Sequence, residues 1–453
     1  MHLKRDIYKN LLDWKKRNEG KVLELEGSRQ VGKTYILNEF AKEYRATTYI
    51  NMIASSGEEF LRCWHTAKKW EPGEKRIEKP MHKALALFDP EFTDSNDHLV
   101  VIDEIQESAE LFSRIREFAR EFEAHFVVTG SYLGKTLEKE YFFSAGDIEK
   151  LKMETLTFSE FLDALGKRDV YDNCSLYGES DHNIYNELRD YFEIYLKIGG
   201  YPEVILHYLK TKDVNACRGK IESIIDTFTT ESTKYFETSL EKNIFNKLFS
   251  SIAVTLLKEK KGTDDLLTDL SKIVFKEESG RVTKKMINAA ISWLSLSHQI
   301  TYCSKSINCD YLNIVDNARY YFTDLGVAYL FLRRTGEKAE VIEGILCENF
   351  VCQELIRRIR KGEIAGSVPW FGVEQSTGGE LDFYVRSLLD YNNYGIEVKR
   401  GSEPTKTANA LLKQKKLDIL YVLKKTYGGI VENRYTVPIY LVEKITFDLD
   451  LKK

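Results

Sequence analysis

Gly27-Ser28-Arg29-Gln30-Val31-Gly32-Lys33-Thr34 decides the fold of the N-terminal part of this chain. The stretch satisfies G-x-x-x-x-G-K-[ST], and its flanks supply the context that pattern requires. Ahead of it, Val22-Leu23-Glu24-Leu25-Glu26 alternates apolar and charged residues, which predicts a strand. Behind it, Tyr35-Ile36-Leu37-Asn38-Glu39-Phe40 predicts a helix. A strand, a glycine-rich turn and a helix offer a phosphate successive backbone N–H groups and the positive end of the helix. Gly27, Ser28, Arg29, Gln30, Val31, Gly32, Lys33 and Thr34 are therefore the expected cradle for a nucleotide. In such a cradle the Lys33 amine reaches the β- and γ-phosphates and the Thr34 hydroxyl helps hold Mg²⁺. ATP with Mg²⁺ is the expected ligand.

Hydrolysis requires acids at the same end of the sheet. His98-Leu99-Val100-Val101-Ile102-Asp103-Glu104 supplies them at the end of an apolar run suited to a central parallel strand. Asp103 is expected to support Mg²⁺ and Glu104 to polarise the attacking water, so Lys33 and Glu104 are the expected catalytic residues. A third strand, His125-Phe126-Val127-Val128-Thr129-Gly130-Ser131, ends in hydroxyls, with Thr129 or Ser131 as candidates to sense the γ-phosphate. Another strand is expected around Thr47 to Asn51, and a crossover helix over Leu111 to Phe118. Repeated strand–helix units predict an open, mostly parallel sheet with ligands at the C-terminal strand ends. Arg114, Arg116 and Arg120 are candidates for a charge-neutralising finger acting on a neighbouring subunit, and equally for solvent-facing charges. Cys63 to Lys79 reads as an irregular connection.

The chain has 453 residues, too many for a single ordinary core. A net charge of -4 gives no global reason to expect nucleic acid or an anionic membrane, though a local basic surface is compatible with it. No apolar stretch reaches transmembrane length and Met1 to Asp6 lacks a signal-peptide pattern, so a cytoplasmic location and no membrane partner are expected. The cysteines at 63, 174, 217, 303, 309, 347 and 352 are odd in number and lack a C-x-x-C pair. That disfavours both a disulfide framework and a zinc site, and leaves Cys347 and Cys352 as packed residues on a helix.

Beyond the sheet, Met153 to Leu162 reads as an apolar seam, with Ser159 as a candidate helix cap. A polar, irregular segment is expected at about 167–185. Tyr191 to Leu196 then runs into Gly199-Gly200-Tyr201-Pro202-Glu203, a helix stop and turn. Helical periodicity resumes over about 203–260. Val282 to Ile287 and Ile291 to Leu294 predict two short helices before a strand at His298-Gln299-Ile300, a winged-helix-like arrangement in which Lys284 and Lys285 are candidates to meet DNA phosphates. Near the C-terminus, Glu343 and Glu348 fall on a helix running to about Arg360. Strands follow at Gly379 to Val385 and Gly395 to Gly401, then a helix at 404–415 and a strand at Ile419 to Leu423. Period two puts Glu397 and Lys399 on one face. Asp382 and Glu397 are candidate Mg²⁺ ligands, Lys399 a candidate charge stabiliser, and Glu348 a candidate fourth member. The alternative is the charged solvent face of an edge strand.

Taken together, Gly27–Thr34, Val100–Glu104 and Val127–Ser131 resemble the AAA-type P-loop ATPases. The whole chain resembles the archaeal and bacterial ATPase family whose C-terminal part is a domain of unknown function with a restriction-endonuclease-like core. Leu156-Thr157-Phe158-Ser159-Glu160-Phe161, Gly199 to Glu203 and Tyr321-Phe322-Thr323-Asp324-Leu325-Gly326 match elements of that family in order. Glu348, Asp382, Glu397 and Lys399 fall on its nuclease-like positions. The resemblance implies an α/β chain: a P-loop ATPase core over 1–165, a helical lid or linker over 166–240, a winged-helix-like module over 241–335 and a restriction-endonuclease-like domain over 336–453. It implies ATP binding and hydrolysis but no defined substrate. The expected function is an ATPase whose nucleotide state controls C-terminal domains that bind a macromolecular partner, double-stranded DNA or a protein, with a homo-oligomer as a candidate assembly. An ATP-regulated nuclease and a nucleotide-gated interaction switch with little turnover are the alternatives. One departure matters: Gly146-Asp147 stands where the family has Gly-Arg, which removes a nucleotide-sensing or finger arginine.

Overall fold

The computed structural model describes residues 3–69, 79–131, 146–232, 243–258, 284–399, 401 and 406–449. The chain divides into two compact units, one of residues 4–154 with 296–298 and one of the remaining chain. The first unit contains α1 (Ile7–Arg17), β1 (Val22–Glu26), α2 (Lys33–Ala41), β2 (Ala46–Asn51), α3 (Ser55–Lys68), α4 (Pro80–Phe88), β3 (His98–Asp103), α5 (Ala109–Phe112), α6 (Ile115–Glu121), β4 (His125–Thr129) and β5 (Ile148–Lys152). All five strands are parallel, in the order β2-β3-β4-β1-β5. Every residue of β3 and β4 is buried, as central parallel strands require. Phe60, Trp64, Phe112, Ile115 and Phe126 belong to the core built with that sheet.

The order of the strands matters more than their number. β1, which leads into the phosphate loop, and β3, which ends in Asp103, are not neighbours; β4 lies between them. The polar residues that follow β4 are thus delivered between the loop and the acids. The expected crossover helix is two pieces, α5 and α6. The Ser113 hydroxyl donates to the Glu110 carbonyl at 2.7 Å and Arg114 takes φ -93° and ψ 1°, which together interrupt the helix. Trp70 to Glu78 of the expected connection lies outside the described residues.

From residue 155 onward the chain forms α7 (Phe158–Ala164), α8 (Arg168–Asn173), α9 (His182–Ile198), α10 (Pro202–Thr211), α11 (Val214–Ser232), α12 (Asn243–Lys258) and α13 (Lys284–Leu296). A hairpin follows, β6 (Ile300–Ile307) and β7 (Ile314–Phe322), then α14 (Leu325–Arg334) and α15 (Ala339–Arg360). The chain ends with β8 (Trp370–Val373), β9 (Glu380–Arg386), β10 (Asn393–Val398), α16 (Lys406–Lys413), β11 (Ile419–Lys424), β12 (Gly429–Val431) and β13 (Arg434–Pro438). Eight strands make one mixed sheet in the order β12-β13-β11-β10-β9-β8-β6-β7.

Three local expectations are corrected here. The two short helices before the strand at 300 are one helix, α13, because Ile287, Ala290, Ile291 and Leu294 form a single buried stripe at helical spacing. Val282 and Thr283 lie outside the described residues, and Lys285 is exposed. The β6–β7 hairpin continues the C-terminal sheet, since β6 pairs in parallel with β8. Strands on both sides of 335/336 therefore share one sheet. Finally, Thr157 rather than Ser159 caps α7, through a capping box in which its hydroxyl accepts from Glu160 N and its own N–H donates to the Glu160 carboxylate.

The three elements quoted for the family resemblance meet in one buried knot. Leu156 N donates to Gly200 O at 2.8 Å, and the Tyr195 hydroxyl donates to Leu156 O at 2.6 Å. Asp324 caps α14 by accepting from Val327 N at 3.1 Å and reaches across to accept from Gly200 N at 2.8 Å. Gly199 sits at φ 68°, and a Cβ there would come within 2.2 Å of the Asp324 carboxylate. Burial raises the Asp324 carboxyl to about 6 even against these N–H donors. These motifs are joints of the fold.

Candidate nucleotide-binding site

The phosphate loop closes against the segment that follows β5. Gly27 has φ 153°, and a Cβ there would stand 2.2 Å from the Met153 carbonyl oxygen, so a side chain at 27 would displace the loop. Gly32, at φ 97°, turns the chain into α2. Lys33 is 7% exposed and its amine donates to Gly27 O at 2.7 Å and Ser28 O at 2.9 Å. Burial lowers that amine to about 8, and the charges of Glu104 and Asp103 offset the effect only in part. The result is a buried cation held by neutral carbonyls, an arrangement completed by an anion.

Asp103 is buried at the end of β3. Its Oδ2 accepts from the Thr34 hydroxyl at 3.3 Å and from the Tyr49 hydroxyl, while Oδ1 accepts from Glu104 N at 2.9 Å. Burial raises its carboxyl, with the Tyr49 hydrogen bond acting in the opposite sense. The Thr34 hydroxyl and the Asp103 carboxylate are hard oxygen donors on one spot, the chemistry that suits Mg²⁺. Glu104 follows the strand with φ 53°. Its carboxylate accepts from Ser131 N and the Ser131 hydroxyl, each at 3.2 Å, and from the Gln106 side-chain amide.

Of the two hydroxyls at the end of β4, it is Ser131 that reaches the acids. Thr129, an expected nucleotide contact, is fully buried and donates to Leu25 O of β1 at 2.8 Å. Its place opposite Leu25 in the β1–β4 register leaves the hydroxyl inside the sheet. Two further groups carry no local sequence signal. Arg5 donates to Val31 O at 3.0 Å and Glu154 O at 2.6 Å, tying the loop to the segment after β5. Tyr49 comes from β2. Among the candidate finger arginines, Arg114 lies over the Trp64 ring at 5.3 Å, Arg116 is exposed, and Arg120 donates to Asp147 at 2.8 Å.

The C-terminal candidates also converge. Asp382 on β9 accepts from Val398 N at 2.7 Å, and the Lys399 amine lies 2.7 Å from Glu397 Oε2. Glu397 is 3% exposed; burial and then the Asp382 charge push its carboxyl up to about 8. Burial alone would lower the Lys399 amine, but Asp382, Glu397 and, more weakly, Glu348 raise it. Glu348 on α15 thus acts on Lys399 through its charge. Among the described residues no three His, Cys, Asp or Glu side chains are gathered to hold a metal ion. The same holds for thiols: the seven cysteines are free, and Cys347 and Cys352 are packed on α15.

Residues 19–162 match the family described as "AAA domain", and residues 189–338 match one described as "Domain of unknown function (DUF8612)". Residues 19–162 are thus similar to AAA domains, and the parallel sheet with its helices is of α/β class. The domain of unknown function lies C-terminal to the AAA domain, and its match ends at residue 338. Among solved structures, the chain is similar to the Walker-type ATPase PABY2304 of Pyrococcus abyssi, with 15% identity, TM-score 0.45, and coverage of 73% of this chain and 96% of that one. It is also similar to the Aeropyrum pernix ORC1 protein in complex with DNA, with 12% identity, TM-score 0.32, and coverage of 76% and 93%. No curated protein matches the sequence. Among the described residues no helix is long and apolar enough to cross a membrane.

Proposed function

We propose that the chain binds Mg-ATP at residues 27–34, hydrolyses it, and uses its nucleotide state to control binding of a macromolecular partner by the remaining chain. The observation that carries this reading is the Thr34–Asp103 hydrogen bond, which joins the loop to the acid-bearing strand across β4. In this reading Lys33 would turn from the loop carbonyls to the phosphates, Thr34 and Asp103 would hold Mg²⁺, and Glu104 would take the proton of the attacking water. The bound metal supplies charge neutralisation on the phosphates. Steady-state hydrolysis by wild type, Lys33→Ala and Glu104→Gln, with and without double-stranded DNA, tests the reading. Lys33→Ala is expected to lose binding and turnover together. Glu104→Gln is expected to keep binding while turnover falls by about 10²- to 10⁴-fold; equal turnover would remove Glu104 as the base. Stimulation by DNA identifies the partner as DNA, its absence favours a protein, and sizing the protein with ATP tests homo-oligomer formation.

Two other readings each have an observation in their favour. The tie between Glu104 and Ser131, with Asp147 where the family has arginine, favours a gate that binds ATP and barely turns it over. The order α15-β8-β9-β10-α16-β11, with Asp382, Glu397 and Lys399 brought together, favours a restriction-endonuclease-like nuclease. Metal-dependent DNA cleavage lost in Asp382→Ala would support the second of these, and absence of cleavage would end it.

A further inference from the structure

Two adjoining cavities, of about 170 Å³ and 470 Å³, open along α14 and share Lys197, Tyr329 and Arg333. The smaller is also lined by Arg218 and Arg334, so four cationic side chains and no acidic one surround it. One carboxylate outside the lining, Glu222, accepts from both Arg218 at 3.1 Å and Arg334 at 3.3 Å. Neither Lys197 nor Arg333 has a carboxylate partner among the described residues; the Arg333 guanidinium lies 5.6 Å over the Tyr329 ring. Helix dipoles explain basic residues in the last turns of α9 and α14. They do not explain why both ends share one cavity with the first turn of α11, Val214 and Asn215, whose helix end is itself positive. Between the cations the wall is apolar, with Ile221 and Leu330 in the smaller cavity and Leu196 and Leu346 in the larger.

We propose that these cavities bind a small organic anion: a phosphate or carboxylate head among Lys197, Arg218, Arg333 and Arg334, and an apolar or aromatic body lying against Tyr329 and into the larger cavity. The polarity follows from charge. Glu193, Glu337 and Glu343 line the larger cavity, where Lys425 pairs with Glu193 and Glu343, and they exclude an anionic head from that end. An apolar cavity with a few convergent charges is the usual build of a small-molecule site. All four cations lie within the stretch matching the domain of unknown function, so the site gives that domain a ligand and stands apart from the ATPase reading.

Calorimetric titration of the full chain with 1-naphthyl phosphate tests this, in wild type saturated with Mg-ADP and in Lys33→Ala, so that the phosphate loop contributes nothing. One site is expected in both. Arg333→Glu and Lys197→Glu should weaken binding by about tenfold or more and the milder Arg333→Gln by about threefold, while Arg116→Glu changes nothing. 1-Naphthol, the same body without the charge, should bind about tenfold more weakly, and comparison with 1-naphthoate identifies the preferred head. No binding at millimolar ligand, equal affinity for 1-naphthol, or an unchanged affinity in both Arg333 variants would overturn the proposal. Each of these outcomes leaves the ATPase reading untouched.

Discussion

Lys33 and Lys399 are both lysines set near two carboxylates, and their surroundings drive them in opposite directions. Lys33 touches only the carbonyls of Gly27 and Ser28, while Asp103 is bonded to Thr34 and Tyr49 and Glu104 to Ser131. Its amine is lowered to about 8. Lys399 lies against Glu397, and its amine is raised. The first site is a buried cation awaiting an anion; the second is an internally neutralised pair. Adjacent acids and a lysine in the sequence do not distinguish these states. Which oxygen the amine touches does.

Stability measurements can break the comparison most directly. Lys399→Met is expected to destabilise the chain by about 2 kcal/mol in urea unfolding at about pH 9, where Glu397 is ionised and stays buried without its cation. Lys33→Met is expected to stabilise the ligand-free chain by about 1 kcal/mol, since it removes a buried charge that lacks a carboxylate partner. Losses of similar size in both variants would erase the distinction.

The pH dependence sharpens it. With its amine lowered from 10.5 to about 8, Lys33 binds fewer protons in the folded chain than in the unfolded one between those values. Its contribution to stability therefore grows as pH rises through that window and is lost as pH falls through it. Glu397, raised from 4.5 to about 8, behaves oppositely: its contribution is lost as pH rises from 4.5 through about 8, and Glu397→Gln should flatten that slope. ATP affinity should follow the Lys33 proton, weakening by about fivefold between about pH 8 and about pH 9 in equilibrium binding. An affinity flat over that range would contradict the lowered amine. The smallest effect concerns the proposed base: Ser131→Ala, by removing the hydroxyl that donates to Glu104 while the backbone N–H stays, should raise basal turnover about threefold. A fall would show instead that Ser131 orients Glu104 for catalysis.

The phosphate loop and the acids of β3 were legible because each is a contiguous stretch whose chemistry depends on short-range geometry. Eight residues make the proposed cradle, and a six-residue strand carries Asp103 at its C-terminal end. The pairing of Glu397 with Lys399 was legible for the same reason, since a period of two operates within one extended segment. Tertiary structure alone decided what depends on distant partners. Arg5 meets Val31 and Glu154, residues 26 and 149 positions away, and nothing in its neighbourhood announces this. Thr129 and Ser131 both present hydroxyls, and the placement of β4 between β1 and β3 sends one to a carbonyl and the other to Glu104. The β6–β7 hairpin looked like part of a separate module because strand pairing is set by register across the sheet, which a linear pattern does not encode. Local spacing determines which groups a short segment can present; long-range packing determines which of them meet.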